Sequence, residues 1–149
     1  MVGQQTSQLT ISRNNSQLTV KPLNAWNISK FKPHEVQKDD YEPTKAIFKD
    51  GFPDHQAMFY DGSKSILACG FIDIGGGQYY AWTLFGSNFK KIHYRFFINY
   101  SNNYLAMLQY KSIHHLIRKD MPWTRKMIAM MGFKYVRDED EQLEHWVRL

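Results

Sequence analysis

Residues 121–136, which read MPWTRKMIAMMGFKYV, decide the fold of this chain. Pro122 suits the first turn of a helix, because the N–H that proline lacks has no partner there. The apolar face of the predicted helix consists of Met127, Ile128, Met130 and Met131. Gly132 stands where a helix end favours a residue that tolerates a left-handed backbone, and residues 133–136 are typical of a strand. The stretch therefore predicts a helix, a Gly-Phe corner and a strand.

Composition narrows the class of protein. The chain has 149 residues, which is typical of one domain, and its hydrophobic content of 43% is too high for a disordered chain. A net charge of +5 allows weak attraction to nucleic acid or acidic surfaces. The single cysteine, Cys69, excludes an internal disulfide and fits a reducing compartment. Because no apolar run approaches the ~18 residues of a membrane span and no signal-peptide pattern is present, we expect a protein kept in a cytoplasm or packaged from one.

The first third of the chain predicts one strand and interrupted helices. Residues 1–17 are polar and form either a loose tail or a hairpin, since the sequence SQLT occurs twice, on either side of two asparagines. Residues 18–23 predict a strand. Asn24 is a good N-cap for a short helix, and Pro43 can open another that ends near residue 51.

The middle of the chain carries the clearest sheet signal. Three strands are predicted, over residues 57–60, 65–74 and 78–85. Asp61-Gly62 is a tight-turn dipeptide between the first two strands. The triple glycine at 75–77 lacks the spacing of a phosphate-binding loop and is followed by a strand, so we interpret it as a hairpin turn.

A long helix is predicted over residues 88–107, with Asn88 as its N-cap. Its apolar face contains Phe89, Ile92, Phe96, Tyr100, Tyr104 and Met107. Strands follow at 113–117 and, after the Gly-Phe corner, at 143–149. A helix between single strands implies a parallel pair with a right-handed crossover. The predicted fold class is therefore α+β (mixed α/β), a central mixed sheet of about six to seven strands flanked by helices, in a single domain over residues 18–149.

Four short motifs occur in a characteristic order along the chain. They are Asp61-Gly62, residues 68–71 (ACGF), residues 82–86 (WTLFG) and residues 123–133. With the order of elements, they make the chain resemble the Gcn5-related N-acetyltransferase fold, and more closely the small internal virion (core) proteins of short-tailed phages that share this fold. The resemblance covers about residues 18–149. It implies an acetyltransferase-like sheet and, for the enzymes of the fold, acetyl-CoA as cofactor.

The resemblance places a coenzyme-binding loop at the start of the long helix. In enzymes of this fold, spaced glycines and a basic residue let backbone N–H groups meet the pyrophosphate of coenzyme A. The corresponding cofactor-binding residues here, if acetyl-CoA binds, are Gly86, Ser87, Asn88 and Lys90. Phe89 puts bulk where the family's loop stays open. We therefore expect no cofactor, with acetyl-CoA as the alternative.

The resemblance also implies where a catalytic acid would lie. The family's general acid, a tyrosine midway along the last helix, falls near Ile128, and an asparagine that often begins that segment falls near Met121. Neither side chain of this sequence can donate a proton. No catalytic residue is therefore predicted, and the chain is expected not to be an enzyme unless it is an acetyl-CoA-dependent N-acetyltransferase.

Two functional hypotheses follow from the resemblance. The first is a catalytically degenerate acetyltransferase-like phage protein that acts by protein contact, in assembly of the internal virion core. Its partners would be other phage virion proteins or a host protein, in the virion and the host cytoplasm. The alternative is an active acetyl-CoA-dependent N-acyltransferase that modifies a host protein or a small molecule.

The histidines, Cys69 and the basic residues are better explained by structural roles than by a metal, catalytic or nucleic-acid site. No histidine pair has metal-ligand spacing with cysteine or carboxylate support, and His114 and His115 face opposite sides of a strand, so no metal site is predicted. Cys69 is interpreted as a packed core thiol. Residues 88–126 hold eight Lys or Arg against one acid, Asp120. That excess allows nucleic-acid binding, but an ordinary basic surface is the favoured interpretation.

Overall fold

A computed structural model describes residues 17–149 of the chain. The predicted polar segment, except for its last residue, lies outside the described residues. Within them, seven strands form one mixed sheet in the order β1-β2-β3-β4-β5-β7-β6, accompanied by four α-helices. The predicted α+β fold class is confirmed. None of the helices in this part of the chain combines the length and apolarity that crossing a membrane requires.

The positions of the elements follow the prediction closely. The strands are β1 (Leu18–Pro22), β2 (Gln56–Asp61), β3 (Lys64–Gly75), β4 (Gln78–Phe85), β5 (Ser112–Arg118), β6 (Lys134–Asp138) and β7 (Leu143–Arg148). The helices are α1 (Ala25–Ser29), α2 (Tyr41–Ile47), α3 (Tyr94–Met107) and α4 (Trp123–Met130), and 3-10 turns span Glu35–Asp40 and Lys91–His93. Every predicted strand is present to within two residues at each end. The chain falls into two compact units, and β3 and β4 contribute residues to both. The assignment of residues 18–149 to a single domain stays a prediction.

The first unit comprises residues 17–70 and 83–89 of the described chain. Its β1, β2 and β3 pair antiparallel, and Gly62 turns the β2–β3 hairpin with a φ of 62°. Asn24 caps α1 as predicted, since its side chain accepts a hydrogen bond from the Asn27 amide at 2.8 Å. The Asn27 side chain accepts from the Asn24 amide at 2.9 Å, which completes a capping box.

The second unit comprises residues 71–82 and 90–149. Its β4 and β5 pair in parallel, as the predicted crossover requires, and β7 pairs antiparallel with both β5 and β6. Along β5, Ile113, His115 and Ile117 are buried on one face, whereas on the other face Ser112 is buried and His114, Leu116 and Arg118 are half-buried. Because side chains alternate across a strand, β5 has one fully covered face and one partly open face.

The glycine positions take the backbone conformations that the sequence predicts. Gly132 has a φ of 85°, Gly132 N–H donates to Ala129 at 3.0 Å, and Phe133 N–H donates to Ile128 at 3.1 Å. This pair of bonds ends α4 in the expected left-handed turn. The three glycines at 75–77 all have positive φ and connect β3 to β4, so the hairpin-turn interpretation is confirmed.

Two helix faces differ from the prediction. Asn88 is not the N-cap of the long helix: a 3-10 turn capped by Lys90 precedes α3, whose own N-cap position is His93. The buried side of α3 consists of Phe96, Phe97, Ile98, Ser101 and Leu105. The buried stripe through Phe97, Ser101 and Leu105 lies one residue on from the predicted stripe, so Ile92 and Met107 fall outside it and are exposed. In α4, Met130 is also exposed, whereas Met127, Ile128 and Met131 are buried as predicted.

Candidate functional site

The predicted coenzyme loop is shared by the two units, with residues 86–89 in the first and Lys90 in the second. In the first unit, Gly86 N–H donates to the Ile66 carbonyl at 2.8 Å, and Ser87 N–H donates to the Lys32 carbonyl at 2.9 Å. Phe89 N–H donates back to Gly86 at 3.0 Å and closes a four-residue turn through Asn88. Three backbone donors of this loop are therefore already used inside the protein.

Gly86 is a glycine for reasons of packing. A Cβ built at this position would lie 2.8 Å from the Ile66 carbonyl oxygen and 3.1 Å from the Phe31 ring. The close approach of β3 to this backbone leaves no room for a side chain. The glycine that survives from the family pattern thus has a structural explanation within the first unit.

Lys90 belongs to the second unit and is exposed. Its backbone N–H donates to Nδ1 of His93 at 2.9 Å, and His93 N–H donates to the Lys90 carbonyl, also at 2.9 Å. The buried imidazole of His93 thus accepts from the backbone at the start of the helix, the role that the sequence predicted for Asn88. The return bond is backbone to backbone, because a lysine side chain has no acceptor. The cap satisfies a backbone donor that an anion would otherwise meet.

A pyrophosphate therefore does not fit the amides of this loop as they are arranged. Binding through Gly86, Ser87 or Phe89 N–H would require an internal hydrogen bond to break. At Gly86, the buried one of the three, an unmade bond costs about 1–3 kcal/mol. The ammonium of Lys90 remains exposed and could still attract an anion by charge. That Gly86, Ser87, Asn88 and Lys90 bind acetyl-CoA stays a prediction.

The positions expected for a proton donor are apolar and closed. Ile128 is 2% exposed on the inner side of α4, and Met121 is likewise buried just before that helix. Tyr94 of α3 stacks on Trp123 of α4 with ring centres 5.7 Å apart, and burial raises the pKa of Tyr94. These side chains form packing contacts within the second unit.

Four polar side chains form a row, the polar row, beside β5 and β7: Ser112, His114, His145 and Glu139. Ser112 Oγ lies 3.0 Å from Nε2 of His114, and Nδ1 of the same imidazole lies 3.0 Å from Nε2 of His145. Nδ1 of His145 lies 3.7 Å from a carboxylate oxygen of Glu139. Four titratable or hydroxyl groups are thus in line, in the order hydroxyl, imidazole, imidazole, carboxylate.

The sequence patterns did not reveal this arrangement. Ser112 and His114 are two residues apart on β5 and therefore share a face, which the sequence does show. His145 is brought beside them by the antiparallel β5–β7 register, in which it lies opposite Leu116. The only available sequence signal was a histidine in each of two strands that could be neighbours.

The other candidate nucleophile, Cys69, is half-buried in β3, and His115 is buried in β5. Burial raises the pKa of the Cys69 thiol to about 12, so it stays protonated and unreactive near neutral pH. His115 packs on Phe133 with ring centres 5.8 Å apart, on the face opposite His114 as predicted. Among residues 17–149, no group of three or more His, Cys, Asp or Glu is arranged to hold a metal ion.

The basic stretch is partly neutralised within the second unit. Arg118 pairs with Asp120 at 2.8 Å, Lys119 with Asp138 at 2.9 Å, and Arg125 with Glu144 at 2.7 Å. Three of the eight basic side chains are therefore committed to carboxylates. This supports an ordinary basic surface over a continuous phosphate-binding stripe.

Comparisons with known proteins bear on the fold. No protein-family model and no curated protein sequence matches the chain. A solved structure described as a phosphinothricin N-acetyltransferase matches with a TM-score of 0.66 and 11% identity, over 88% of this chain and 97% of that one. An uncharacterised protein from Bacillus halodurans matches with a TM-score of 0.65 and 10% identity, over 95% and 88% of the two chains. A Vibrio cholerae spermidine N-acetyltransferase in complex with CoA and spermine matches with a TM-score of 0.55 and 16% identity, over 89% and 95%.

The chain has an acetyltransferase-like fold. The comparisons confirm the expected Gcn5-related architecture, a seven-stranded mixed sheet with four helices among the described residues. At identities this low the similarity concerns the fold and does not extend to activity or substrate. The closer resemblance to phage core proteins stays a prediction.

Proposed function

We propose that this acetyltransferase-like protein has lost coenzyme binding and acts by protein contact, as a component of the internal core of a phage virion. The observation that supports the loss of the coenzyme is the use of the loop amides inside the protein. The N–H groups of Gly86, Ser87 and Phe89 donate to backbone carbonyls at 2.8–3.0 Å. In an active member of the fold these donors would be needed for the pyrophosphate.

The absence of an acid at the expected position supports the same proposal. Ile128 and Met121 are buried apolar side chains, so the leaving thiolate of coenzyme A would receive no proton from them. Loss of both the anion contacts and the acid removes two independent contributions to acetyl transfer.

Titration calorimetry with acetyl-CoA tests the loss of coenzyme binding. We expect no heat of binding at millimolar ligand. A Kd below about 1 mM, which corresponds to about 4 kcal/mol, would contradict the proposal. If acetyl-CoA binds, Gly86→Ala tests whether the loop at residues 86–90 is the binding site. The added methyl group would collide with Ile66 and displace this loop, so binding at the loop would weaken, whereas binding at any other site would not change.

Protein contact requires exposed side chains suited to an interface. On α1 of the first unit, Trp26 is 72% exposed, and the ammonium of Lys30 lies 4.6 Å from its ring centre. Tryptophan is enriched among the residues that dominate binding energy at protein interfaces. Trp26→Ala is expected to weaken capture of the partner without lowering the unfolding temperature; Ile47→Ala, an exposed residue of α2, is the matched comparison.

The virion location can be tested separately. Phage particles purified by density gradient and treated with protease before disruption should retain the protein if it lies inside the particle. Absence of the protein from purified particles would contradict the virion assignment, whereas its loss on protease treatment would place it on the outside. Neither result depends on the calorimetry.

The alternative is an acetyl-CoA-dependent N-acyltransferase that acts on a host protein or a small molecule. The match to a spermidine N-acetyltransferase in complex with CoA and spermine, together with the exposed Lys90, favours it. Acetylation of an acceptor in the presence of acetyl-CoA, abolished by Lys90→Glu but not by Lys126→Glu on α4, would support this alternative over the first proposal.

A further inference from the structure

Two arrangements of protons give a donor and an acceptor to both hydrogen bonds that join Ser112, His114 and His145. They differ at Nδ1 of His145, which has no hydrogen-bond partner among the described residues and lies 3.7 Å from a Glu139 carboxylate oxygen. Each contact between two groups needs one donor and one acceptor. If His114 carries its proton on Nδ1, that N–H donates to Nε2 of His145, and the proton of His145 lies on Nδ1, towards Glu139. Nε2 of His114 is then bare and accepts the hydroxyl proton of Ser112.

The opposite arrangement is disfavoured by electrostatics. If His145 donated from Nε2 to His114, its Nδ1 lone pair would face the Glu139 carboxylate at 3.7 Å, and two electron-rich atoms would repel each other. Burial, and then Arg137 and His114, lower the pKa of His145, so this imidazole is neutral at pH 7. The two ring centres are 5.2 Å apart and the bonded nitrogens 3.0 Å, so the rings meet nearly end to end, as a good N–H···N bond requires.

We propose that Ser112 is an activated nucleophile that takes up a small acyl group from an activated ester or thioester. A serine hydroxyl bonded to an imidazole base, with a third group that orients the base, is the arrangement that makes serine nucleophilic. Here His114 is the base that touches the reacting hydroxyl, and His145 is a positioning residue that acts through it. This inference goes beyond the proposed function, because it needs neither the coenzyme loop nor acetyl-CoA.

The chemical step balances without another reactant. Ser112 Oγ forms a bond to the acyl carbon, and the bond from that carbon to the leaving oxygen or sulfur breaks. The hydroxyl proton passes to Nε2 of His114, and the leaving group takes its electron pair and then a proton from the solvent or from His114. Activated donors suit the site because their leaving groups depart as stable anions, so a base suffices to start the reaction.

The low exposure of the hydroxyl limits the size of the acyl group it can accept, and the chemistry of the product determines how long the product lasts. Ser112 is 8% exposed, and His114 is half-buried. An acyl group on Ser112 is an ordinary alkyl ester, whose alkoxide leaving group departs far less readily than that of an activated donor. Acylation is therefore expected to be faster than hydrolysis, and the ester to accumulate to about one acyl group per chain. A small acyl group such as acetyl is the one expected to enter so closed a position.

Acylation by p-nitrophenyl acetate tests the proposal, with the folded full-length protein and no coenzyme present. We expect one acetyl group per chain by intact mass, assigned to Ser112 by peptide mass spectrometry. Ser112→Ala should abolish the adduct, and His114→Gln should slow its formation by about 100-fold or more. Ser29→Ala, which removes an exposed hydroxyl bonded to a backbone carbonyl, should leave the rate unchanged.

A pair of substitutions at His145 separates positioning from folding. His145→Gln retains an acceptor for the His114 N–H, whereas His145→Leu does not. We expect glutamine to keep a large part of the acylation rate and leucine to lose it, at equal unfolding temperatures. No adduct on Ser112 in the folded protein, or an adduct that forms equally fast in His114→Gln, would overturn the proposal. Equal rates in the two His145 variants would overturn the role of His145.

Discussion

Replacing His115 by leucine should make the protein less sensitive to acid. Burial lowers the pKa of His115 to about 4 in the folded protein, whereas an unfolded chain has a value near 6.5. As the pH falls below about 6.5, the imidazole of residue 115 binds a proton in the unfolded chain but stays neutral in the folded protein. Stability is therefore complete above that pH and declines towards pH 4.

The size of the effect follows from the two pKa values. Between pH 7 and pH 4.5, linkage gives a loss of about 2 kcal/mol from this one imidazole. Leucine at 115 cannot titrate and occupies a buried, apolar position beside Phe133, so the variant should lack that loss. Carboxylates such as Glu144 and Asp138 also lose ion pairs in acid, but they do so equally in both proteins.

Urea unfolding of both proteins at pH 7 and pH 4.5 measures the difference. The free energy of unfolding of the natural protein should fall by about 2 kcal/mol more than that of His115→Leu, with equal dependence on urea concentration. A difference smaller than about 0.5 kcal/mol would refute the reasoning, because it would mean that His115 is protonated in the folded protein or exposed to water.

Two further substitutions test the packing of the second unit. Gly132→Ala should destabilise the protein by about 1–2 kcal/mol in urea unfolding, because φ is 85° there and the new methyl group would meet the guanidinium of Arg148; an unchanged stability would contradict the left-handed corner. Glu144 is 6% exposed and its carboxylate accepts hydrogen bonds from Arg125. Glu144→Gln removes this charge and should lower the free energy of unfolding by about 1–3 kcal/mol. The exposed pair of Glu35 offers the control: Glu35→Gln should change stability by less than about 0.5 kcal/mol, and equal effects of the two substitutions would contradict this assignment.

The strands could be predicted from the sequence because their signals are local. β4 was predicted with its observed bounds, since aromatic and β-branched residues follow a glycine turn and stop at another glycine. Gly132 could be placed because few residues other than glycine adopt a positive φ at a helix end. These positions depend on residues within one turn or hairpin of each other.

The start of α3 could not be predicted because two local signals competed. Asn88 is a good N-cap by residue type, but it lies in the middle of a turn that Phe89 and Gly86 close. His93, an unusual capping residue, supplies the side-chain acceptor instead. The apolar face was also predicted one residue out of phase, because the buried side includes the polar residues His93 and Ser101, and Ile92 was therefore expected inside.

The polar row of Ser112, His114, His145 and Glu139 could not be predicted, because it depends on the register between two strands. His114 and His145 are 31 residues apart, and only the alignment of β5 with β7 brings their nitrogens to 3.0 Å. A shift of one residue would turn His145 to the other face of the sheet. Residue types and spacing do not determine such a register.

The position of β7 between β5 and β6 has a consequence for folding during synthesis. β6 precedes β7 in the chain but has no strand partner other than β7 among the described residues, so it cannot join the sheet first. Until β7 has been made, one edge of β5 stays open, and an open strand edge invites pairing with another chain. β4 and β5 are also 34 residues apart at their first pair, Gln78 with Ser112, so they can pair only after the residues of α3 between them have been made. A nascent chain that pauses before residue 143 has therefore formed an incomplete sheet in which one edge of β5 is unpaired. Synthesis of β7 covers this edge, so the last strand determines whether the nascent chain stays monomeric or associates with another chain.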